Sequence, residues 1–290
     1  MQRIVIGNGH LQACFALKGA ELISLNDGRG KALLWHGDAA FWTGRSPLLF
    51  PIVGRLPHDI AVINGKSYPM SSHGFARTSE FVLVSYDDTS CHFELKSSAA
   101  TLERYPFAFR LGVIYRIRGC TLDVIATVTN DSDQGMPMSF GYHPAFLWPL
   151  DVNIPRDAHI IEFETPEPAK IRRIADGLLT DAGHASPLEG TTLRLRDDLF
   201  ADGAIIFETL ASRQVTYSAP GGTAIRVSAP DLPHLGIWTK PGAPFVCIEP
   251  WQGHAAPADF TGELKDKPGM VSLDSGASRV FAMTVEVMTS

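Results

Sequence analysis

The sequence predicts an all-β fold, a large antiparallel β-sandwich that forms one domain over residues 1–290. Apolar and polar residues alternate with a period of two from one end of the chain to the other, as half-buried strands do. Helical periodicity is nearly absent, and no linker or low-complexity segment divides the chain. Large β-sandwiches reach this length as one domain. The 20 prolines and 26 glycines fit the many turns that such a fold needs.

Five runs carry the alternation most clearly. In the first, Leu11, Ala13 and Phe15 share one face, and Gln12 and Lys18 lie on the other. The same pattern recurs in residues 91–96, 110–118, 122–128 and 281–287. Each run is therefore predicted to be a strand with one buried face.

Turn and helix signals complete the local prediction. Asn64-Gly65 between two strand-like runs is the clearest hairpin signal. One short helical turn is expected over residues 101–105, ended by Pro106. Residues 151–190 are the richest in proline, aspartate and glycine and are expected to form long loops or short irregular strands.

Charge and hydropathy exclude several classes of partner. The net charge is −6 and no run of lysine or arginine occurs, so we expect no nucleic-acid partner. No apolar run approaches the length of a membrane span, and no signal peptide is visible. The expected location is the cytoplasm, without a membrane partner.

Cysteine and histidine spacing argues against a metal site. The four cysteines, Cys14, Cys91, Cys120 and Cys247, lie far apart and are expected to be small buried hydrophobes in a reducing compartment. The ten histidines include no H-x-H pair and no H-E-x-x-H motif. We therefore expect no metal.

The most informative segment is residues 245–251, in which an apolar run leads directly to Glu249 and then to Pro250-Trp251. Because Pro250 has no N–H, the strand is expected to end or to reach a sheet edge there. A carboxylate at a strand end beside an indole is well placed to act as a base in a pocket. Taken by itself, such a glutamate is more often a solvated surface charge.

Two further segments, residues 72–77 and 140–146, each place a histidine among glycine and aromatic residues. These histidines are His73 and His143, and a histidine in such surroundings is more often a satisfied core residue. Together with Glu249, however, they indicate acid–base chemistry on a small polar substrate. Trp238 and Phe245 are expected in the core rather than in a site.

The chain resembles the aldose 1-epimerase (galactose mutarotase) superfamily, in particular its LacX-like branch, over nearly its whole length. The order and spacing of several blocks carry this resemblance: Trp35-His36-Gly37, Trp42, and residues 47–55, 72–77, 142–146, 235–240 and 247–251. The resemblance implies a single galactose mutarotase-like supersandwich with a sugar-binding face. It also implies a sugar substrate and no metal or organic cofactor.

The resemblance implies an aldose 1-epimerase that interconverts the α and β anomers of a hexose by acid–base ring opening and closure. In that chemistry Glu249 is the expected base and His143 the expected acid. The residues expected to bind substrate are His73, Arg55, Asp202, Arg77, Trp251, Trp42 and Phe75. Asp231 is a rival to Asp202 as the acidic ligand of the sugar.

Three other functions remain open from the sequence. The sugar could be anionic, a hexose 6-phosphate or a sulfonated hexose, held by a cationic clamp drawn from Arg45, Arg55, Arg77 and Lys240. The protein could instead bind a sugar without catalysis, although both members of the acid–base pair are present. Glycoside hydrolysis would need two carboxylates, for which Glu249 and Asp202 are the candidates.

Overall fold

The computed structural model describes residues 3–288, which form antiparallel strands with little helix. The first twelve strands are β1 (Arg3–Gly7), β2 (Leu11–Ala16), β3 (Leu22–Asp27), β4 (Leu48–Leu49), β5 (Ile60–Ile63), β6 (Lys66–Pro69), β7 (Val82–Tyr86), β8 (Ser90–Lys96), β9 (Phe109–Arg118), β10 (Thr121–Asn130), β11 (Met136–Met138) and β12 (Phe140–Tyr142). The other strands are β13 (Ala145–Leu147), β14 (Ile160–Phe163), β15 (Ile174–Ala175), β16 (Leu178–Leu179), β17 (Thr192–Arg194), β18 (Ile205–Phe207), β19 (Gln214–Ser218), β20 (Ala224–Ser228), β21 (His234–Trp238), β22 (Phe245–Gln252), β23 (Val271–Leu273) and β24 (Ser278–Met288).

The helical elements are short. The α-helix α1 spans Ala99–Leu102. Five 3₁₀ turns cover Pro57–Asp59, Ala76–Thr78, Arg156–Ala158, Asp197–Phe200 and Leu264–Asp266. Between residues 3 and 288, no helix has the length and apolar character needed to cross a membrane.

Two large antiparallel sheets dominate the structure. The larger has nine strands in the order β17-β14-β19-β20-β24-β10-β9-β8-β7. The second has six strands in the order β18-β21-β22-β12-β4, with β13 paired to β22 as well. The remaining strands form the three-stranded sheet β1-β2-β3 and the hairpins or ribbons β5-β6, β11-β23 and β15-β16.

The core lies between the two large sheets. The rings of Phe140 in β12 and Phe281 in β24 stack with their centroids 5.1 Å apart. Along β22, Val246 and Ile248 belong to the same buried cluster, while Phe245 and its alternate neighbours lie on the opposite face. The predicted all-β sandwich is confirmed, and β22 has core on one face and a second set of buried side chains on the other.

Most predicted local elements are confirmed. β5 and β6 form the predicted hairpin, with Asn64 at φ 51° and Gly65 at φ 73°, as a two-residue turn of this kind requires. The helical turn begins two residues earlier than predicted, because Ser98 and Thr101 form a capping box. Residues 151–190 contain the short strands β14, β15 and β16, as expected.

Two cysteines differ from the prediction. All four are free, and Cys91 and Cys247 are buried, but Cys14 is half-buried and Cys120 is exposed. Cys120 occupies the two-residue turn between β9 and β10 with Gly119, where alternation no longer decides which side faces the core.

The prediction that the strand ends at Pro250 is wrong. β22 continues to Gln252 inside the six-stranded sheet, between β21 and the strands β12 and β13. The proline is tolerated because its partner on one side is interrupted: β13 pairs with residues 245–247 and β12 only with the last two residues of β22. The Ile248 N–H faces this side and donates to the Pro144 carbonyl at 3.2 Å. Since alternate residues point their N–H groups the same way, the missing N–H of Pro250 falls opposite the interruption.

Tyr142, the last residue of β12, ties the two large sheets together. Its buried hydroxyl lies 2.8 Å from the Phe281 carbonyl in β24 and 3.1 Å from the Val124 carbonyl in β10. We expect Tyr142→Phe to lower the free energy of unfolding by about 1–2 kcal/mol, because it removes a donor from buried carbonyls. Urea unfolding measures this, with Tyr86→Phe at an exposed position as the matched control. Equal stability of Tyr142→Phe and the wild type would contradict this role.

Candidate active site

A cavity of about 280 Å³ opens on the face of the six-stranded sheet that lies opposite the core. Six of the residues predicted for the site line it: Trp42, His73, Arg77, His143, Glu249 and Trp251. They come from four separate parts of the chain, which the fold brings together around β22.

Glu249 and His143 form a buried pair at the floor of this cavity. Glu249 projects from the middle of β22, and His143 lies in the interruption between β12 and β13. His143 Nε2 is 3.1 Å from Glu249 Oε2, and the two side chains are 9% and 2% exposed. This contact does not have the full geometry of a hydrogen bond, and within residues 3–288 neither Glu249 Oε2 nor His143 Nδ1 has any other hydrogen-bond partner. Buried polar atoms left in this state cost about 1–3 kcal/mol each and are typical of functional sites.

Burial sets the protonation of the pair. It raises the pKa of the Glu249 carboxyl group well above its usual value. It lowers the pKa of His143 well below its usual value, and the neighbouring His73 and Arg77 lower it further. The favoured resting form is therefore a carboxylic acid beside a neutral imidazole, and the carboxyl proton is the one that can pass to the unprotonated ring nitrogen. The nearby Trp251 indole acts in the opposite direction and lowers the pKa of Glu249. In the described chain, however, Trp251 Nε1 does not form a hydrogen bond.

His73 is held as a neutral donor. Its backbone lies in the left-handed region at φ 61°, and its N–H donates to the Gly54 carbonyl at 2.7 Å. In return the Gly54 N–H donates to His73 Nδ1 at 3.1 Å, which leaves Nε2 to carry the ring proton. Burial lowers the pKa of His73 to about 3, with Arg77 and Lys267 adding to the effect. His73 therefore offers an N–H to an oxygen in the cavity.

Aromatic rings form the walls. Trp42 stacks on His143 with ring centroids 4.8 Å apart and an interplanar angle of 30°. Trp251 lies flat against the sheet because Gly141 and Gly236 leave room for it; a Cβ at these positions would lie 2.5 Å and 2.3 Å from the indole. Such faces suit the C–H surface of a sugar ring.

Three residues predicted to bind substrate lie outside the set that lines the cavity. Arg55 is half exposed and forms a bidentate ion pair with Asp59, with both contacts at 2.7 Å. Phe75 is 1% exposed and packs in the core against Phe50 and neighbouring rings. Asp202 lies in an exposed turn, and so does its rival, Asp231. Their roles in binding stay predictions.

Sequence reasoning did not single out some of the residues that the structure places at the cavity. Trp238, expected in the core, lines the wall and meets Trp42 edge to face at 5.5 Å. Ile174 and Gly177 also line the cavity and come from the β15-β16 hairpin, whose sequence contains no motif that indicates a site. Trp238 had a usable signal, since it alternates with Gly236 along β21 on the face that carries Trp251.

The Glu249–His143 pair, together with Cys247, also forms a set of side chains that could bind a metal ion. His143, Cys247 and Glu249 each offer a ligand atom, and these atoms lie within 4.8 Å of one another in the described chain. Cys247 is fully buried, and burial raises the pKa of its thiol well above the usual value. The prediction that the protein uses no resident metal stays a prediction.

A cavity with aromatic walls and a buried carboxyl–imidazole pair suits an enzyme that moves protons on a small polar molecule. The family model for aldose 1-epimerase matches residues 2–267. Over 276 residues the chain is 34% identical to the chromosomal protein LacX of Lactococcus lactis subsp. lactis, covering 91% of this chain and 92% of LacX. The chain therefore belongs to the aldose 1-epimerase family.

Solved structures agree with this assignment. A galactose mutarotase-like protein from Lactobacillus casei ATCC 334 has a TM-score of 0.92 and 32% identity, covering 99% of this chain and 100% of that one. A galactose mutarotase related enzyme from Lactobacillus acidophilus has a TM-score of 0.92 and 30% identity, covering 99% and 98%. The fold is galactose mutarotase-like, and the family supports an epimerase of the isomerase class that acts on a sugar.

The depressed pKa of His73 predicts how stability depends on pH. Below about pH 6.5 the unfolded chain protonates this histidine, whereas the folded protein does not until about pH 3. Stability is therefore lost as the pH falls through this window, by at most about 1.4 kcal/mol per pH unit from this one group. His73→Asn, whose side chain tolerates the left-handed backbone, should reduce that slope in urea unfolding series. His10→Asn at an exposed position should leave it unchanged, and an unaltered slope in His73→Asn would contradict the assignment.

Proposed function

We propose that the protein is a mutarotase that interconverts the α and β anomers of a hexose, and that residues 1–290 act as one domain. The observation that carries this proposal is the buried contact of 3.1 Å between Glu249 and His143 at the floor of an aromatic cavity. Ring opening needs a base and an acid that act on neighbouring oxygens, and this pair supplies both.

The proposed reaction transfers two protons, and it breaks and re-forms the C1–O5 bond. Glu249, as the carboxylate, takes the proton of the C1 hydroxyl while His143, as the imidazolium, protonates the ring oxygen. The C1–O5 bond breaks, and an open-chain aldehyde forms. After rotation about C1–C2, the C5 hydroxyl attacks the other face of the carbonyl, His143 recovers its proton, and Glu249 returns the first proton to O1. Nothing is consumed, so no cofactor is required.

The charged form of the pair arises from its resting form by one short transfer. Burial favours the carboxylic acid and the neutral imidazole. A proton that passes across the 3.1 Å contact from Glu249 to His143 creates the carboxylate and the imidazolium. Sugar hydroxyls that donate to the carboxylate replace the solvation that burial removed, and so favour this form when substrate is bound.

The surrounding residues position the sugar in this proposal. The His73 N–H donates to a sugar oxygen beside the reacting centre, and Trp42 and Trp251 contact the C–H faces of the ring. Arg55 donates to the Asp176 carbonyl at 3.0 Å, and the adjacent Gly177 lines the cavity, so Arg55 supports the wall from behind. Arg55, Asp202 and Phe75 do not line the cavity, and their direct contact with the sugar stays a prediction.

Replacement of either member of the pair tests the proposal. In NMR saturation-transfer measurements on neutral hexoses, we expect Glu249→Gln and His143→Gln each to slow anomeric exchange by about 10²–10⁴-fold, the usual contribution of one acid–base group. Glu103→Gln, at an exposed position, is the matched control and should exchange at the wild-type rate. Near-normal exchange in Glu249→Gln would refute the assignment. Sugar binding by the wild type without any exchange would favour a sensor, and cleavage of aryl glycosides would favour hydrolysis.

A second candidate is mutarotation of an anionic hexose, favoured by the position of Arg77. This arginine lines the catalytic cavity and also an adjoining groove of about 480 Å³ that carries Arg3, Lys18 and Arg45. Its guanidinium donates to the Ser72 carbonyl at 2.8 Å and is not part of an ion pair in the described chain. A phosphate or sulfonate on the sugar would find a cationic partner there. The proposed Lys240 contact is not supported, since Lys240 lines neither cavity.

Charge-dependent kinetics distinguish the two candidates. If the substrate is a hexose 6-phosphate or sulfonated hexose, Arg77→Gln should raise its KM at least about tenfold while changing the KM of a neutral hexose much less. Arg29→Gln serves as the control, because Arg29 is exposed just after β3 and pairs with Asp27 at the end of that strand. Equal effects of Arg77→Gln on neutral and anionic sugars would contradict an anionic substrate.

A further inference from the structure

The thiol of Cys247 lies directly beside the acid–base pair, although the proposed reaction does not use it. Cys247 and Glu249 are two residues apart on β22, so both project from the same face of the sheet. His143 approaches this face from the interruption between β12 and β13. One atom from each of the three residues lies within 4.8 Å of the others, and this is the only such group of histidine, cysteine and carboxylate ligands in the described chain.

We propose that His143, Cys247 and Glu249 form a binding site for a thiophilic divalent cation such as Zn²⁺, and that the bound ion blocks the catalytic cavity. The ion would be an inhibitor that competes with the sugar, not a cofactor. Imidazole nitrogen, thiolate sulfur and carboxylate oxygen are the three ligand types that zinc takes in proteins. Three protein ligands would leave a fourth position for water on the cavity side.

The distances fit this ion after a small adjustment. Zinc binds nitrogen and oxygen at about 2.0–2.2 Å and sulfur at about 2.3 Å, so ligand atoms in a tetrahedral site lie roughly 3.3–3.7 Å apart. His143 Nε2 and Glu249 Oε2 are already 3.1 Å apart. The widest separation, up to 4.8 Å, must shrink by about 1 Å, which side-chain rotation of Cys247 and Glu249 can supply.

The unpartnered oxygen of Glu249 points independently to a ligand at this place. Glu249 is 2% exposed, and its Oε2, although 3.1 Å from His143 Nε2, takes part in no formed hydrogen bond between residues 3 and 288. A cation would satisfy this oxygen and take up the lone pair of a His143 ring nitrogen. Binding converts the Cys247 thiol to a thiolate and the Glu249 carboxyl group to a carboxylate, and both protons are released to solvent. Because the metal occupies the electron pairs that acid–base chemistry needs, binding and catalysis exclude each other.

Cobalt binding tests the site without reference to activity. The full chain, freed of metal by a chelator and carrying Cys120→Ser to remove the exposed thiol, is titrated with Co²⁺ and then with Zn²⁺. We expect one equivalent of Co²⁺ with the sulfur-to-cobalt charge-transfer band and the intense visible bands of a tetrahedral thiolate site, displaced by Zn²⁺. In the same background, Cys247→Ala should lose the charge-transfer band and bind at least about tenfold more weakly.

Matched variants keep the test decisive. Cys91→Ala removes a thiol that is as deeply buried but lies in β8, and it should bind Co²⁺ like the parent. Glu249→Gln keeps the thiol but removes the carboxylate, so it should weaken binding while retaining sulfur character. Absence of the charge-transfer band in the parent, or an unchanged affinity in Cys247→Ala, would overturn the proposal. These measurements contain no sugar, so they stand apart from the outcome of the mutarotation assays.

Discussion

The site depends on one interruption in a sheet. β22 lies inside the six-stranded sheet, yet the strand beside it is split into β12 and β13, with His143 and Pro144 between them. The split accommodates Pro250, which has no N–H to offer a continuous partner. It also lets His143 leave the regular pairing, so that its ring lies over Glu249 at 3.1 Å. The same local break therefore satisfies the backbone and assembles the acid–base pair.

Next to this interruption, the two faces of β22 have different roles: one packs in the core, and the other carries the residues of the site. Val246 and Ile248 join the main core, whereas Cys247, Glu249 and Trp251 line or support the cavity. All eight residues of the strand are buried, so its side chains are packed on both faces. Fixing the reacting groups on a central strand keeps their geometry without loop ordering. Burial, in turn, drives the pair towards its neutral form and makes the charged form dependent on a ligand in the cavity.

Sequence patterns predicted the fold well, because period-two alternation and turn chemistry are local properties. Asn64-Gly65 specifies its hairpin by backbone preference alone, and the alternation in β24 already identifies its buried face. Pro250 shows where local reasoning fails: whether a strand tolerates proline depends on the strand opposite, which lies about a hundred residues away in the chain. The predicted start of α1 was two residues too late, because the capping box formed by Ser98 and Thr101 was not recognised in the sequence.

The site was predictable in part. Glu249, His143 and His73 could be identified, because charged or titratable residues among glycine and aromatic residues are unusual. Arg55 and Asp202 carried the same kind of signal, but the ion pair with Asp59 and the exposed turn could be seen only in three dimensions. Cys247 was taken as a buried hydrophobe, since metal motifs are recognised by close spacing in sequence. Its neighbour His143 lies far away in the chain and meets it only through the sheet.

The account rests on a buried Glu249–His143 pair that is neutral in the free protein. Histidine-selective ¹⁵N NMR measures this directly, with the His143 signals assigned by their absence in His143→Gln. We expect both ring nitrogens of His143 to report a neutral imidazole throughout about pH 5–8, the window in which an ordinary histidine titrates. An imidazolium at neutral pH in the free protein would contradict the account, because the pair would then be charged before any sugar is bound.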